Sequence, residues 1–497
     1  MNSPFQQLQS RLADVHNLHA ISSLLDWDQQ TYMPRGGANA RAEHSATVSK
    51  LAHEMLTDDK TGQLLESAER DHDDNEYSKA FLRVARRTFD KATKLPSSLV
   101  EERARVTSIA QEEWMKARAA KEYSIFAPHL EKIVDLNQRT ATAYSYKDCL
   151  YDALMDDYEE GLTVALLDPI FEELKAASVP LIQEIAARPQ IDDSVLSRDY
   201  DKTTQLQFAE RVLEQCGFDF TRGRQDTSAH PFCTNFGRDD VRITTRASSN
   251  DLQSALFGSL HEMGHALYEQ NIAPELDGNV LGGGVSLGVH ESQSRLWENL
   301  VGRSRAFWNG RFSDLQAAFP QQLADVSLDH FYQAINKVQP SLIRVEADEV
   351  TYNLHIILRY EMEVELLEGR LSVADAPEAW NARMKSYLGV DVPDDAHGIL
   401  QDVHWSIGAM GYFPTYSLGN ILSVQLWEKI REDIGNLDSQ IARGDFSALL
   451  GWLRENIHRH GHVYTPQQLV QRATGEDLNV APYAKYLREK FGAIYGI

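Results

Sequence analysis

His261, Glu262 and His265 form the pattern H-E-x-x-H. Two side chains four residues apart share one face of a helix, so both imidazoles can reach a single metal ion while Glu262 points beside it. The chemistry this suits is hydrolysis by metal-activated water, with a carboxylate placed to take the water's proton. A catalytic zinc takes three protein ligands and leaves the fourth position open, so a third ligand has to come from elsewhere. Glu269 continues the same face, but at 1.5 Å per residue it lies about 12 Å along the axis from His261 and reads as a solvated surface charge. The pair His290 and Glu291 is better placed, and on chemical grounds alone either side chain can complete the site.

The elements around these residues must put them together. Ser248, Ser249 and Asn250 offer helix-capping oxygens and Asp251 puts negative charge in a first turn; Leu252, Leu256, Leu260, Met263 and Leu267 then recur at helical spacing, and the pattern stops before Pro274. Gly258 and Gly264 each cost about 1 kcal/mol against alanine in an exposed helix. Close approach of another backbone or of a substrate would account for them. The run Gly282, Gly283, Gly284 lets the chain reverse and lay a second helix, carrying His290 and Glu291, against the first.

The motif and the sequence His290-Glu291-Ser292-Gln293-Ser294 together resemble the carboxypeptidase Taq (M32) family of metallocarboxypeptidases. Further blocks in the same order extend the resemblance over nearly the whole chain: Asp26-Trp27-Asp28-Gln29 with Met33-Pro34, His230-Pro231-Phe232, Asp240-Val241-Arg242-Ile243-Thr244, Ile343-Arg344-Val345-Glu346-Ala347-Asp348, and residues 398–405, Gly-Ile-Leu-Gln-Asp-Val-His-Trp. The resemblance implies Glu291 as the third ligand beside His261 and His265, and Glu262 as catalytic base. Two neutral imidazoles and one carboxylate leave a dication site at net +1, which still acidifies water.

An exopeptidase also needs a donor set for the substrate's free terminal carboxylate. Arg344 is the leading candidate, because it lies in a family-like block and a guanidinium matches a carboxylate in bidentate geometry. The competing structural role is an ion pair with Glu346 or Asp348, and Arg242 or His230 stands next in line. The resemblance suggests a substrate-side role for His230, against that of a buried structural histidine. Tyr412 can donate its phenol to the oxyanion, as such tyrosines do in related zinc peptidases, with Tyr416 as fallback. Gln401 and His404 are read as lining the pocket or supporting it from behind.

The 497 residues can bury a large core. Only the resemblance argues for a single catalytic body over residues 1–497, since length alone allows two or three domains. A formal charge of −24 argues against nucleic acid or an anionic membrane as partner. The polar opening from Met1 to Gln7 shows no hydrophobic signal segment, and no run approaches the roughly 18 apolar residues of a span. Cys149, Cys216 and Cys233 cannot all pair and are too widely spaced for a disulfide framework or a thiolate zinc site, so a reducing cytoplasm is the expected location.

Phe126, Leu130, Ile133 and Val134 predict a helix with Pro128 in its first turn, and Asp168-Pro169 reads as the opening of another, with Ile170, Phe171 and Leu174 on its apolar side. Residues 71–76 read as a solvated acidic turn. Residues 232–236 and 241–246 flank Gly237 as a hairpin, with Val241, Ile243 and Thr245 alternating. The patterns read as mostly α with a small hairpin, and the resemblance implies the rest of the expected fold: an elongated helical metallopeptidase body with a long groove and a small sheet beside the motif helix. The expected activity is removal of C-terminal residues from peptides, with Zn2+ as default metal, Co2+ or Mn2+ fitting the same ligands, and a homodimer implied by the resemblance. A zinc oligoendopeptidase would use the same chemistry without a free C-terminus. A silent peptide-binding scaffold would be expected to have lost a ligand or the base, and none is lost.

Overall fold

Residues 3–497 are described by a computed structural model, so Met1 and Asn2 of the polar opening lie outside the described residues. Phe126, Leu130, Ile133 and Val134 are buried along the helix Ala127–Tyr144, with Pro128 in its first turn as the pattern predicts. The Asp168-Pro169 reading fails. That helix is Val164–Ala186, capped by the Thr163 side chain on Leu166 N, and Val164 N donates to Asp152 at 2.6 Å. Pro169 thus sits inside the helix, where it removes one ladder hydrogen bond, and Asp168 accepts from the Tyr360 hydroxyl at 2.6 Å. The acidic stretch 71–76 is exposed except for half-buried His72, and joins the helices Asp59–Arg70 and Glu76–Lys94.

Two apolar clusters hold the helices together. The larger contains the motif helix and most of the chain from residue 110 onward. The smaller joins Leu8, Leu12 and Val15 of the first helix, Pro4–Thr31, to Leu56, Leu65 and Phe81, and closes over Ile272, Leu276 and Leu281. Those last three lie between the two helices that carry the candidate ligands. Among the described residues, no helix is long and apolar enough to cross a membrane.

The expected hairpin is present as β2, Cys233–Asn235, antiparallel to β3, Val241–Thr245, with Thr234 opposite Arg242. A third strand, β1, Gly223–Thr227, runs parallel to β3 on its other side and was not expected. Its sequence, Gly-Arg-Gln-Asp-Thr, carries no apolar alternation. It is tied to the first helix by Tyr32, which donates to buried Asp226, a carboxylate that also pairs with Arg224 of the same strand at 2.6 Å. Arg242 stacks over Trp27 at 4.3 Å, so the first helix is pinned to the sheet by cation–π contact.

The motif helix is Gln253–Gln270, with Leu256, Leu260, Met263 and Leu267 buried. Its capping oxygen belongs to Asp251, which accepts from Gln253 N at 2.9 Å, and not to Ser248, Ser249 or Asn250. A second helix, Leu287–Arg295, follows the glycine turn. Ser286 caps it, and buried Glu159 accepts from Gly288 N at 3.0 Å. We call it the ligand helix. It continues into a π-helical turn, Leu296–Gly302, of the kind that inserts an extra residue where side chains must be re-aimed.

Gly264 is where these helices touch: a Cβ there would lie 2.5 Å from Gln293 O and from Ser294 Cα, so main chain meets main chain. Gly419, in the helix Pro414–Asp433, plays the same part on the other side, where a Cβ would fall 2.5 Å from Glu291 Cβ. Gly258 meets nothing closer than Thr245 Oγ1 at 3.6 Å, so close approach does not explain it.

Candidate metal centre and active site

Helical pitch brings His261 and His265 together as expected, with ring centroids 5.1 Å apart. The ligand helix supplies Glu291, whose Oε2 lies 3.5 Å from Nε2 of each imidazole. The three ligand atoms all fall within 4.8 Å of one another. The far nitrogen of each ring is engaged: His261 Nδ1 is 2.9 Å from Glu298 Oε2, and His265 Nδ1 is 2.8 Å from His290 Nδ1. With the protons on the Nδ1 atoms, two nitrogen lone pairs and a carboxylate oxygen point into one space, an arrangement that a divalent cation satisfies. His261, His265 and Glu291 therefore fit a metal ion.

The surroundings fix Glu291. Arg295 Nε donates to its Oε1 at 2.6 Å, and Ser294 Oγ to its Oε2 at 2.9 Å. Burial raises its pKa, but Arg295 and His261 outweigh burial and hold the carboxyl well below the usual carboxylate range. Burial works against a charged His261, but Glu291 and Glu298 overcome it and hold the ring's pKa well above its ordinary value, so a cation arriving here displaces a proton. Glu262 is buried and its carboxyl is pushed up to about 7, chiefly by desolvation, which His261 opposes. A carboxylate so poised is suited to moving a proton near neutrality.

One residue departs from the sequence-based expectation, and two alternatives left open by the sequence are closed. Glu269 is buried, not a solvated surface charge: its Oε1 accepts from Gly284 N at 3.0 Å and lies 2.6 Å from His290 Nε2. His290 is turned toward Glu269 and His265, away from the cluster its neighbour Glu291 enters. His230 is exposed, so the buried structural role fails; only its carbonyl is engaged, by Ser228 Oγ at 2.6 Å. Glu298, which the sequence singled out for no role, also reaches the cluster, through its contact with His261 Nδ1. Its signal is its spacing, seven residues after Glu291 on the same side of a helix.

A second constellation surrounds Arg344, which is 5% exposed. It pairs neither with Glu346 nor with Asp348. Its Nε and Nη2 donate to Asp402 Oδ1 at 3.0 and 2.8 Å, and its Nη1 to the Tyr352 hydroxyl at 2.9 Å. Fully buried Arg359 meets the other oxygen of Asp402 at 2.6 Å. Gln401 is committed to the framework, accepting from Arg344 N at 2.9 Å and donating to Leu342 O at 3.0 Å. Arg242 is likewise engaged, by Asp240 at 2.8 Å.

His404 stacks on Phe413 with centroids 4.5 Å apart. Its Nε2 lies 3.4 Å from the Tyr416 hydroxyl, while its Nδ1 is buried with no partner among the described residues. Burial lowers its pKa to about 4, so the ring is neutral. Tyr412 packs between Tyr158 and Tyr416, at 5.2 and 5.3 Å. Its pKa is raised by burial and then by the negative charge of Glu291. Glu363 holds this segment in place, accepting from Trp405 Nε1 at 2.7 Å and Gly411 N at 3.0 Å.

A helical body built around an H-E-x-x-H helix, with a carboxylate ligand delivered by a second helix, defines a metallopeptidase. The chain belongs to the carboxypeptidase Taq (M32) metallopeptidase family, whose model matches residues 7–491. It is 42% identical to thermostable carboxypeptidase 1 of Thermus thermophilus, over 99% of both chains, and 40% identical to carboxypeptidase 1 of Bacillus subtilis, over 97% of this chain and 96% of that one. Its fold superimposes on the crystal structure of the M32 carboxypeptidase from Deinococcus radiodurans R1 with a TM-score of 0.98, at 44% identity and over 100% of both chains. The chain is a metallocarboxypeptidase, a hydrolase of peptides.

Proposed function

We propose that this chain is a zinc-dependent carboxypeptidase in which His261, His265 and Glu291 hold the metal, Glu262 is the general base, and Arg344 binds the substrate's terminal carboxylate. Co2+ or Mn2+ suits the same nitrogen and oxygen donors. A divalent cation at that place supplies Lewis-acid polarisation of the scissile carbonyl and acidification of water. Glu262 takes the proton of the attacking water and returns it to the leaving amine. Tyr412, or Tyr416 beside it, donates its phenolic hydrogen to the carbonyl oxygen as negative charge develops there. Following the family resemblance, the enzyme works as one catalytic body, as a homodimer, in the cytoplasm.

The observation that carries the exopeptidase reading is an excess of buried positive charge. Arg344 and Arg359 share the single carboxylate of Asp402, while His404 is neutral. Arg344 spends three of its five N–H groups on Asp402 and Tyr352, which leaves two for a ligand. A peptide's terminal carboxylate supplies the missing anion, and the unpartnered Nδ1 of His404 gives that pocket a further polar group. Gln401 acts from behind, and His230, which the family resemblance puts on the substrate side, is exposed and so free to meet the rest of the peptide.

Arg344→Ala is expected to depress cleavage of free-acid peptides by about 10- to 150-fold, the equivalent of losing a charge-assisted hydrogen bond worth roughly 1.5–3 kcal/mol. Cleavage of C-terminally amidated peptides, already poor, should barely change, and metal content should stay at one equivalent. Equal losses on both peptide forms would assign Arg344 to the framework. Equal cleavage of both forms by the parent would make the enzyme an endopeptidase.

A further inference from the structure

We propose that His290 and Glu269 are positioning residues for the metal ligand His265, fixing its proton on Nδ1 through a relay of two imidazoles and a carboxylate; this rests on the metal-centre reading above. The relay admits one proton arrangement. For His265 Nε2 to offer its lone pair beside Glu291, the ring's proton must sit on Nδ1. That atom is 2.8 Å from His290 Nδ1, a distance that requires one donor and one acceptor. His290 Nδ1 therefore accepts, the His290 proton resides on Nε2, and it is donated to Glu269 Oε1 at 2.6 Å. Gly284 N steadies the same carboxylate oxygen at 3.0 Å.

The geometry explains why three segments meet here. His261, His265 and Glu269 descend one face of the motif helix at successive turns, so Glu269 lies too far down the axis to join the metal. The neighbours His290 and Glu291 of the ligand helix serve two levels: Glu291 enters the metal cluster, and His290 bridges the turn below. The pocket around the bridging ring is closely built. Tyr268 packs against it at a tilt with centroids 5.0 Å apart, and a Cβ on Gly284 would lie 2.4 Å from His290 Cδ2. The two metal histidines are thus supported unequally, His261 by Glu298 directly and His265 by a carboxylate one imidazole removed. Partners of this kind orient a ligand and raise its basicity, and their loss costs about 10- to 100-fold in metal affinity.

The test is the zinc dissociation constant of apo protein, measured by competition with a chromophoric chelator, with circular dichroism as the check on folding. His290→Leu removes the acceptor and is expected to weaken zinc about 10- to 100-fold. His290→Asn should recover part of that loss, because its amide oxygen can take the place of Nδ1 and accept the His265 proton. Glu269→Gln keeps the shape and both hydrogen bonds but loses the charge, and should weaken zinc by about tenfold. If His290→Leu fails to fold, His290→Asn and Glu269→Gln carry the test. Affinities within about twofold of the parent in the folded variants would overturn the inference alone, provided the parent binds zinc and His265→Ala does not. A parent that takes up no zinc, or a His265→Ala variant that binds it equally well, would overturn the metal-centre reading and this inference with it.

Discussion

Glu262→Gln is expected to keep its metal and lose turnover by at least about 100-fold, the lower range of what a positioned general base contributes. The amide preserves the shape of the side chain but cannot take a proton from water. Glu262 sits beside the cluster, with burial pushing its carboxyl up to about 7. A base works only when deprotonated, so the parent's kcat/KM should fall as pH drops through that pKa. A bound dication favours the carboxylate, which places this acid limb at or below about pH 7. The residual activity of the variant should lack the limb. Single-turnover rates across the pH range, with metal content measured on the same samples, check both points; turnover near that of the parent would remove Glu262 from the mechanism.

His265→Ala and Glu291→Ala should release metal and activity together. Each removes one of three ligands, and Glu291→Ala also deprives Arg295 of its 2.6 Å partner in a buried site. Breaking such a pair costs about 3–5 kcal/mol, so Glu291→Gln, which keeps the shape, is the cleaner companion. A ligand that binds only the folded state at a hundred times its Kd stabilises it by about 2.7 kcal/mol. Metal should therefore raise the Tm of the parent and leave that of the variants unmoved. One equivalent of tightly held metal in an active Glu291→Ala variant would remove Glu291 from the ligand set; His290 is no substitute, since both its ring nitrogens are engaged away from the cluster.

What was legible in the chain followed from periodicity. The spacing of His261 and His265 fixed their common face, and Leu256, Leu260, Met263 and Leu267 marked the side that is buried. The glycine run was readable as a reversal that lays a second helix against the first. Polar residues buried by partners from elsewhere were not readable. Glu269 looks like any helical surface charge until the reversal brings His290 and Gly284 N against it. The only structural partners the sequence offered Arg344 were local, Glu346 and Asp348, yet the carboxylate it pairs with is Asp402, 58 residues on. Strand β1 escaped notice because it is held by main-chain pairing with β3 and carries no apolar alternation. The helix placed at Asp168-Pro169 begins earlier because the Thr163 cap and Asp152 satisfy its first amides, signals that the proline obscured.

Main-chain contact at Gly264, with Gly419 against Glu291 on the far side, makes the ligand cage stiff. Where helices are separated by side chains, a larger or smaller ion is accommodated by rotamer changes that let the helices slide. Here there is no such layer to compress, and close-packed interiors yield little. The separation of the two ligand-bearing helices is consequently set by main-chain contact. An ion of different radius must fit by turning the Glu291 carboxylate or by changing how many waters it retains. Discrimination among Zn2+, Co2+ and Mn2+ would then arise from coordination number and angle, with elastic expansion of the cage contributing little.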